Sequence, residues 1–340
     1  MFYSFIVGPN EFYAQVGNGV TDHANWGRAE EMTMSRPAYV LNVKKPGSEV
    51  AGETAAALAA ASILFKSEDP LYSAMLLHHA KELFNFGTQY RGSYSDNIPD
   101  AHMFYKSFNG YMDELAWGAA WLAKATEEAS YINQAMKISV VHGMAIASEF
   151  SWDNKWLGVQ IMMADLTGDT MFKSAVKGFC DHLVHSQQRT PQGMVFIQPW
   201  GSNRHAANVA FACLAASTLL EGFDYKSFAK QQVDLLLGDA GRSYVVGFGK
   251  DYPKRPHHRG SSCPTNPRKP CDWNQFMSPA PNPNILYGAL VGGPAADGSY
   301  QDKRGEYIKN SVAIDHNAGF QSAVAGLITL AADGKLWPAC

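Results

Sequence analysis

The chain has 340 residues, 46% hydrophobic and 17% charged, ample for a large core in one big domain or two ordinary ones. A formal net charge of −3 argues against a nucleic-acid or anionic-membrane surface, and the densest basic cluster, Lys254, Arg255, His257, His258 and Arg259, is a single loop. The opening MFYSFIVGPNEFY has no basic n-region and no small-residue cleavage site, so it does not read as a signal peptide, and no apolar run reaches the roughly 18 residues that span a bilayer.

Helical periodicity dominates the rest. Helices are expected over Glu49–Lys66, Leu71–Thr88, Met112–Thr126, Ser130–Ser148, Asn154–Leu166, Met171–Gln187, His205–Glu221, Tyr225–Leu237 and Asn317–Asp333. The first contains the run Ala55–Phe65, mostly alanine, which reads as a buried helix, and the second follows Pro70, which suits a first turn. In the third, Leu115, Ala119 and Leu122 line one face, Trp117 and Trp121 lie one turn apart, and Asp113 and Glu114 occupy the favourable first turn. Strand alternation is scarce, with Gly193–Ile197 and Ser243–Gly247 as short candidates. From Gly238 to Asn310 the chain is nearly helix-free and rich in Pro, Gly and Asn, and a connection of that length is usually functional. Paired helices joined alternately by short turns and long aromatic-rich loops predict a helical toroid, all-α, as a single domain over residues 1–340. Of five cysteines, Cys263 and Cys271 flank a Pro-rich loop that a disulfide could close, which would point to an oxidising compartment; Cys180 and Cys213 lie in apolar helical patterns and read as buried free thiols.

Several stretches carry the functional reading: DHANWGRAEEMTMSRPAYVLNVKKPGSEVAGETAAALAAAS from Asp22, FYKSFNGYMDELAWGAAW from Phe104, WGSNRHAANVAF from Trp200, LLGDAGRSYVVGFGKDYPKRPHHRGSSCP from Leu236, NPNILYGALVGGP, and SYQDKRGEYIKNSVAIDHNAGF from Ser299. Together they resemble glycoside hydrolase family 9, the endo-β-1,4-glucanases, and especially the animal cellulases, from about Asn10 to Leu330. The resemblance implies an (α/α)6 barrel missing its first helices, an open cleft, cleavage of β-1,4-glucan with inversion, cello-oligosaccharide ligands, a secreted monomer, and no organic cofactor, nucleic-acid or membrane partner.

Cleaving a glucan needs one carboxylic acid to protonate the leaving oxygen and a second carboxylate, about 6.5–9.5 Å away in an inverting enzyme, to activate water. The family resembled draws the base from a D-A-G-D motif and the acid from a Glu in a segment like N-E-V-A-T-D-Y-N-A-G-F. No D-A-G-D occurs in this sequence; Asp239-Ala240-Gly241 continues with Arg242 and belongs to another segment. The acid segment reads NSVAIDHNAGF, which places Ser311 where the Glu belongs and His316 where a Tyr belongs. A serine hydroxyl cannot serve as that acid at useful pH. Glu306, five residues upstream, is a weak substitute, and Asp315 reads as a helix-start residue. The chain is therefore expected to be inactive or severely impaired, as a fragment of an endoglucanase, a glucan-binding pseudoenzyme, or an incomplete gene model of an active cellulase.

The binding side is better kept. By the resemblance, His23, Trp26, Phe104, Tyr105, Phe108, Trp200, Arg204, His257 and Arg259 fall on cleft positions, with Phe108 in place of a Trp, Asn154 in place of the second Asp of a W-D-D run, and His316 beside them. Asp113 and Glu114 alone read as capping acids; the resemblance implies a structural Ca²⁺ held by Asn109, Gly110, Asp113, Glu114 and Asp153.

Overall fold

The computed structural model describes residues 6–142, 147–220 and 225–336. Its first elements are strands that the sequence pattern does not reveal: β1 (Ile6–Gly8) and β2 (Glu11–Val16), then a short helix α1 (Gly19–His23), then β3 (Ala38–Asn42). The three strands pair antiparallel in the order β1-β2-β3, with a register break between Tyr13 and Gln15. Phe12 and Leu41 face each other across β2 and β3 and are both buried. A cross-strand apolar pair of this kind anchors a register that short, mixed runs do not announce.

The chain falls into two compact units, Met1–Ala24, Met34–Ala147 and Trp152–Val176 in the first and Asn25–Thr33, Ser148–Ser151 and Lys177–Cys340 in the second. The first holds the sheet, α1, α2 (Ser48–Phe65), α3 (Pro70–Gln89), α4 (Tyr94–Asn97), α5 (Met112–Thr126), α6 (Ala129–His142) and α7 (Trp156–Thr167). Next comes α8 (Thr170–His185), and the second unit holds α9 (Ser202–Ala216), α10 (Tyr225–Leu237), three short helices α11 (Arg259–Ser262), α12 (Trp273–Met277) and α13 (Tyr307–Asn310), and α14 (Ile314–Ala332).

Each expected long helix is present, with ends displaced by a few residues; the expected residues 143–146 and Glu221 lie outside the described ones. The Asp69 side chain caps α3 by accepting from Tyr72 N, with Pro70 in the first turn. By contrast α9 starts at Ser202, three residues before the expected His205, because Gly201 with φ +71° sets its entry, and α14 starts at Ile314 from an extended Ala313. Neither start carries a side-chain cap to read. The two expected strands shrink to single bridges, Arg189 with Val195 and Val245 with Leu290.

Two further expectations are corrected. Helix α2 is, by length and mean hydropathy of 1.2, apolar enough to cross a membrane, though half of that window is buried and it packs against α3 and α5 as a core helix. Cys180 and Cys213, expected as free thiols, form a disulfide with Cα atoms 5.7 Å apart, alongside the Cys263–Cys271 bridge. Each helix pattern shows that its cysteine is buried, but only the fold brings the two sulfurs together.

Close backbone approach explains the glycines of α2 and α5. A Cβ at Gly52 would lie 2.5 Å from the Glu114 carbonyl oxygen, and Gly118 meets the Gly52 carbonyl in return. Gly52→Ala should therefore force α2 away from α5 and cost about 1–3 kcal/mol. Urea unfolding would register it as a lowered midpoint with an unchanged slope, and an unchanged midpoint would refute the steric account.

Candidate functional site

In the second unit the site is built at the junction of α13 and α14. Asn310, at the end of α13, is fully buried; its side chain donates to Gln301 O at 2.7 Å and accepts from the Tyr300 hydroxyl, and its carbonyl accepts from His257 N at 2.8 Å. That bond, with the parallel bridge between His257 and Ser311, clamps the backbone on either side of residue 311. Ser311 Oγ is buried and has no hydrogen-bond partner. Glu306 precedes α13, is exposed, and makes no side-chain capping bond.

Around this junction lies a group of buried ionisable side chains. Arg204, on α9, pairs with Asp315 in the first turn of α14 and donates to the Trp200 carbonyl at 3.2 Å. Asp315 is thus an ion-pair partner, and the extended Ala313 occupies the N-cap where a capping acid was expected. Gly319, one turn along α14, allows contact with α9, since a Cβ there would stand 2.1 Å from Asn208 Oδ1. His205 is pushed down to a pKa of about 3, first by burial and then by Arg204 and His316. Glu149 Oε2 stands 3.5 Å from His205 Nδ1, too far to hydrogen-bond, and is held instead by Gln198 Nε2 at 2.8 Å, so burial decides and the ring stays neutral. Burial lowers His316 as well.

A row of aromatic rings runs through the same unit. Trp200 lies 5.4 Å from Tyr307 between centroids, Tyr307 6.1 Å from His257, His257 5.2 Å from Trp26, and Trp26 5.9 Å from Trp273. Phe276 packs edge-on to Trp26 at 4.9 Å. Trp200, Tyr307 and Trp273 are 52%, 49% and 47% exposed and so present ring faces, whereas Trp26, at 6%, is a core residue that donates from Nε1 to Ser262 Oγ. Arg259 opens α11, its carbonyl accepting from Ser262 Oγ at 2.7 Å. Sequence reasoning missed Tyr307, Trp273 and Phe276; the Asp272–Gln275 capping box that starts α12 is the signal that could have found the last two. It also missed Arg304, a buried guanidinium that donates to Asn282 Oδ1 and to the carbonyls of Gln275, Ser278 and Ala280, and whose own carbonyl stands 2.7 Å from His257 Nδ1.

In the first unit His23 stacks on Phe104 with centroids 4.5 Å apart, an approach that Gly19 permits because a Cβ there would meet the Phe104 ring at 2.3 Å. Tyr105 and Phe108 are exposed and each sets its edge toward Trp152, at 5.0 and 6.5 Å. Asn154 is buried, and its Oδ1 accepts from Trp156 N at the start of α7. Asp153 accepts from Phe108 N and Asn109 Nδ2, and the Gly110 carbonyl accepts from Ser107 Oγ. Asp113 and Glu114 are buried to 0% and 2% exposure, burial raises both carboxyl groups, and Asp113 Oδ1 and Glu114 Oε2 lack hydrogen-bond partners. The other Asp113 oxygen accepts from Lys155 N at 2.8 Å, so neither acid is a simple helix cap.

The neutral His205 fixes the sign of an acid response. The unfolded chain binds a proton at this imidazole below about pH 6.5, and the fold resists it down to about 3, so this contribution to stability is full above 6.5 and declines as pH falls toward 3. The expected slope is about 1.4 kcal/mol per pH unit for one proton. His205→Gln should flatten the fall in urea midpoint between pH 6.5 and 4, and an equally steep fall in that variant would show that His205 is not its source.

Residues 2–324 match the model of the family described as Glycosyl hydrolase family 9. Among solved structures, an endoglucanase from the termite Nasutitermes takasagoensis is 51% identical with a TM-score of 0.95, covering 97% of this chain and 76% of that one. The cellulase Cel9M of C. cellulolyticum, solved in complex with cellobiose, is 30% identical with a TM-score of 0.89, covering 97% and 75%. Endoglucanase A of Bacillus pumilus is 42% identical over 96% of this chain, and an endoglucanase of Dictyostelium discoideum 44% over 94%. The chain spans 51% and 45% of the lengths of these two relatives, about half. The fold is of the (α/α)6-barrel class that the resemblance implies. By the extent of these matches, the chain belongs to glycosyl hydrolase family 9.

Proposed function

We propose that this chain is an endoglucanase-type protein that takes β-1,4-glucan and cello-oligosaccharides on its exposed aromatic rings and hydrolyses them poorly or not at all. The observation that carries this reading is Ser311, with a buried, unpartnered hydroxyl where the acid segment calls for a carboxylic acid. Protonating a leaving glycosidic oxygen needs a group that holds a proton and gives it up near neutral pH, and a serine hydroxyl does not. Loss of one such proton transfer costs roughly 10²–10⁴-fold. Asp315, the next acid in the chain, is engaged by Arg204, and Glu306 is exposed on the far side of α13 in sequence. Binding is supported by Trp200, Tyr307 and Trp273, whose open faces suit the flat C–H faces of a sugar. The relative solved with cellobiose supports the same ligand class, and two disulfides support an oxidising, extracytoplasmic setting.

The same reading extends to calcium. Asp113 and Glu114, with Asp153, Asn109 and Gly110, would hold Ca²⁺, an oxygen-seeking cation whose charge would offset two adjoining buried acids. The fit rests on the two unpaired buried oxygens, Asp113 Oδ1 and Glu114 Oε2. Saturating Ca²⁺, at about 100 times its Kd, should add about 2.7 kcal/mol over a chelator-treated sample, and a thermal melt that does not move would remove calcium from the account.

For the chemistry, reducing-sugar release from a soluble β-1,4-glucan at high protein concentration should equal the buffer blank. Calorimetry with cellotetraose should show binding that Trp200→Ala weakens at least about tenfold, as for a stacked aromatic anchor. Release above the blank that Glu306→Gln abolishes would assign the acid role to Glu306 and overturn the reading.

A further inference from the structure

We propose that His78, His79 and Glu82, on helix α3, form a binding site for a first-row divalent transition-metal ion of the Zn²⁺ class. At 100° per residue Glu82 projects between the two imidazoles, one turn below His78 and three residues from His79. His79 Nδ1 lies 2.8 Å from Glu82 Oε2 and His78 Nε2 lies 3.3 Å from Glu82 Oε1. One donor atom from each of the three falls within 4.8 Å of the others. Zn–N and Zn–O bonds of about 2.0–2.2 Å in a tetrahedron place neighbouring donors roughly 3.3–3.5 Å apart, so small rotations of the rings convert the present arrangement into a three-ligand face.

The donor chemistry selects the metal. Two imidazole nitrogens and one carboxylate suit Zn²⁺, Cu²⁺ or Ni²⁺, whereas Ca²⁺ and Mg²⁺ seek oxygen alone. The carboxylate is shared by both rings, each of which can lose a proton to make room for the ion. His79 and Glu82 have side chains only 24% exposed, which limits the freedom to be lost on binding, while His78, at 68%, leaves a route from solvent. A fourth coordination position stays open to water. This site is separate in sequence and chemistry from the buried acids Asp113 and Glu114, which offer oxygen.

The test is isothermal titration of the full chain with ZnCl2, after chelator treatment and dialysis, with excess Ca²⁺ present throughout so that oxygen sites are filled. One saturable site is expected, weakened at least tenfold by His79→Ala and by Glu82→Ala and unaffected by replacing His182 and His185 on α8. Co²⁺ in place of Zn²⁺ should give a visible ligand-field band that the same two variants abolish. Absence of saturable binding, or equal binding by both variants and the parent, would overturn the proposal.

Discussion

The stretch of the second unit with only short helices depends on one buried guanidinium. Arg304 is 3% exposed, and taking that charge out of water is tolerable only because its donors find oxygens in almost every direction. Asn282 Oδ1 accepts from both Nε and Nη2, and the carbonyls of Gln275, Ser278 and Ala280 accept from the remaining fork. Those carbonyls belong to a Pro-rich stretch with little ladder of its own, so the guanidinium stands in for secondary structure. Its own carbonyl lies against His257 Nδ1, which fixes the ring that joins Tyr307 to Trp26. The aromatic row thus leans on the backbone of the residue whose side chain organises the loop.

A second constraint acts from the helical side. Arg204 and Asp315 tie α9 to the first turn of α14, and the same contact places two neutral imidazoles, His205 and His316, in a dry, already charged neighbourhood. A further charge in that neighbourhood would be costly, and the serine at 311 adds none. The unpartnered Ser311 hydroxyl is small enough to be stranded without disturbing this balance.

How much of this the sequence displays follows from the range of each interaction. Helices α3 and α5 are legible because their signals are local: Pro70 in a first turn, and Leu115, Ala119 and Leu122 on one face. Ser311 stands out as the residue in the acid's expected place because the segment around it, NSVAIDHNAGF, is distinctive. The sheet is not legible, because β1 has three residues and the partners of β2 in β3 lie up to 31 positions away, the separation of Glu11 from Asn42. The Cys180–Cys213 bridge fails for the same reason, with its partners 33 positions apart. The burial of Asn154 and Trp26, one bonded at a helix start and the other packed in the core, is likewise set by partners that no local pattern shows. Arg304 is invisible in advance because an arginine in a loop has no pattern, and only its acceptors reveal what it does.

These supports are physically separable, so on the proposed reading binding and chemistry could part company in one chain. The exposed faces of Trp200, Tyr307 and Trp273 rest on Arg304, the α12 capping box and the Arg204 contact to the Trp200 carbonyl. None of these runs through the side chain at 311, whose backbone is held by Asn310 and His257 whatever its substituent. Exchanging a carboxylic acid for a hydroxyl at that position removes a proton donor while leaving the backbone clamp and the ring positions intact. The reverse does not hold: removing the Arg304 side chain would take the donor from five acceptors, Asn282 Oδ1 and the carbonyls of Gln275, Phe276, Ser278 and Ala280, so the loop that carries Trp273 and Phe276 would fail with it. On the proposed reading, a serine in place of the acid is therefore a change at this junction that would silence the chemistry and leave the aromatic surface standing.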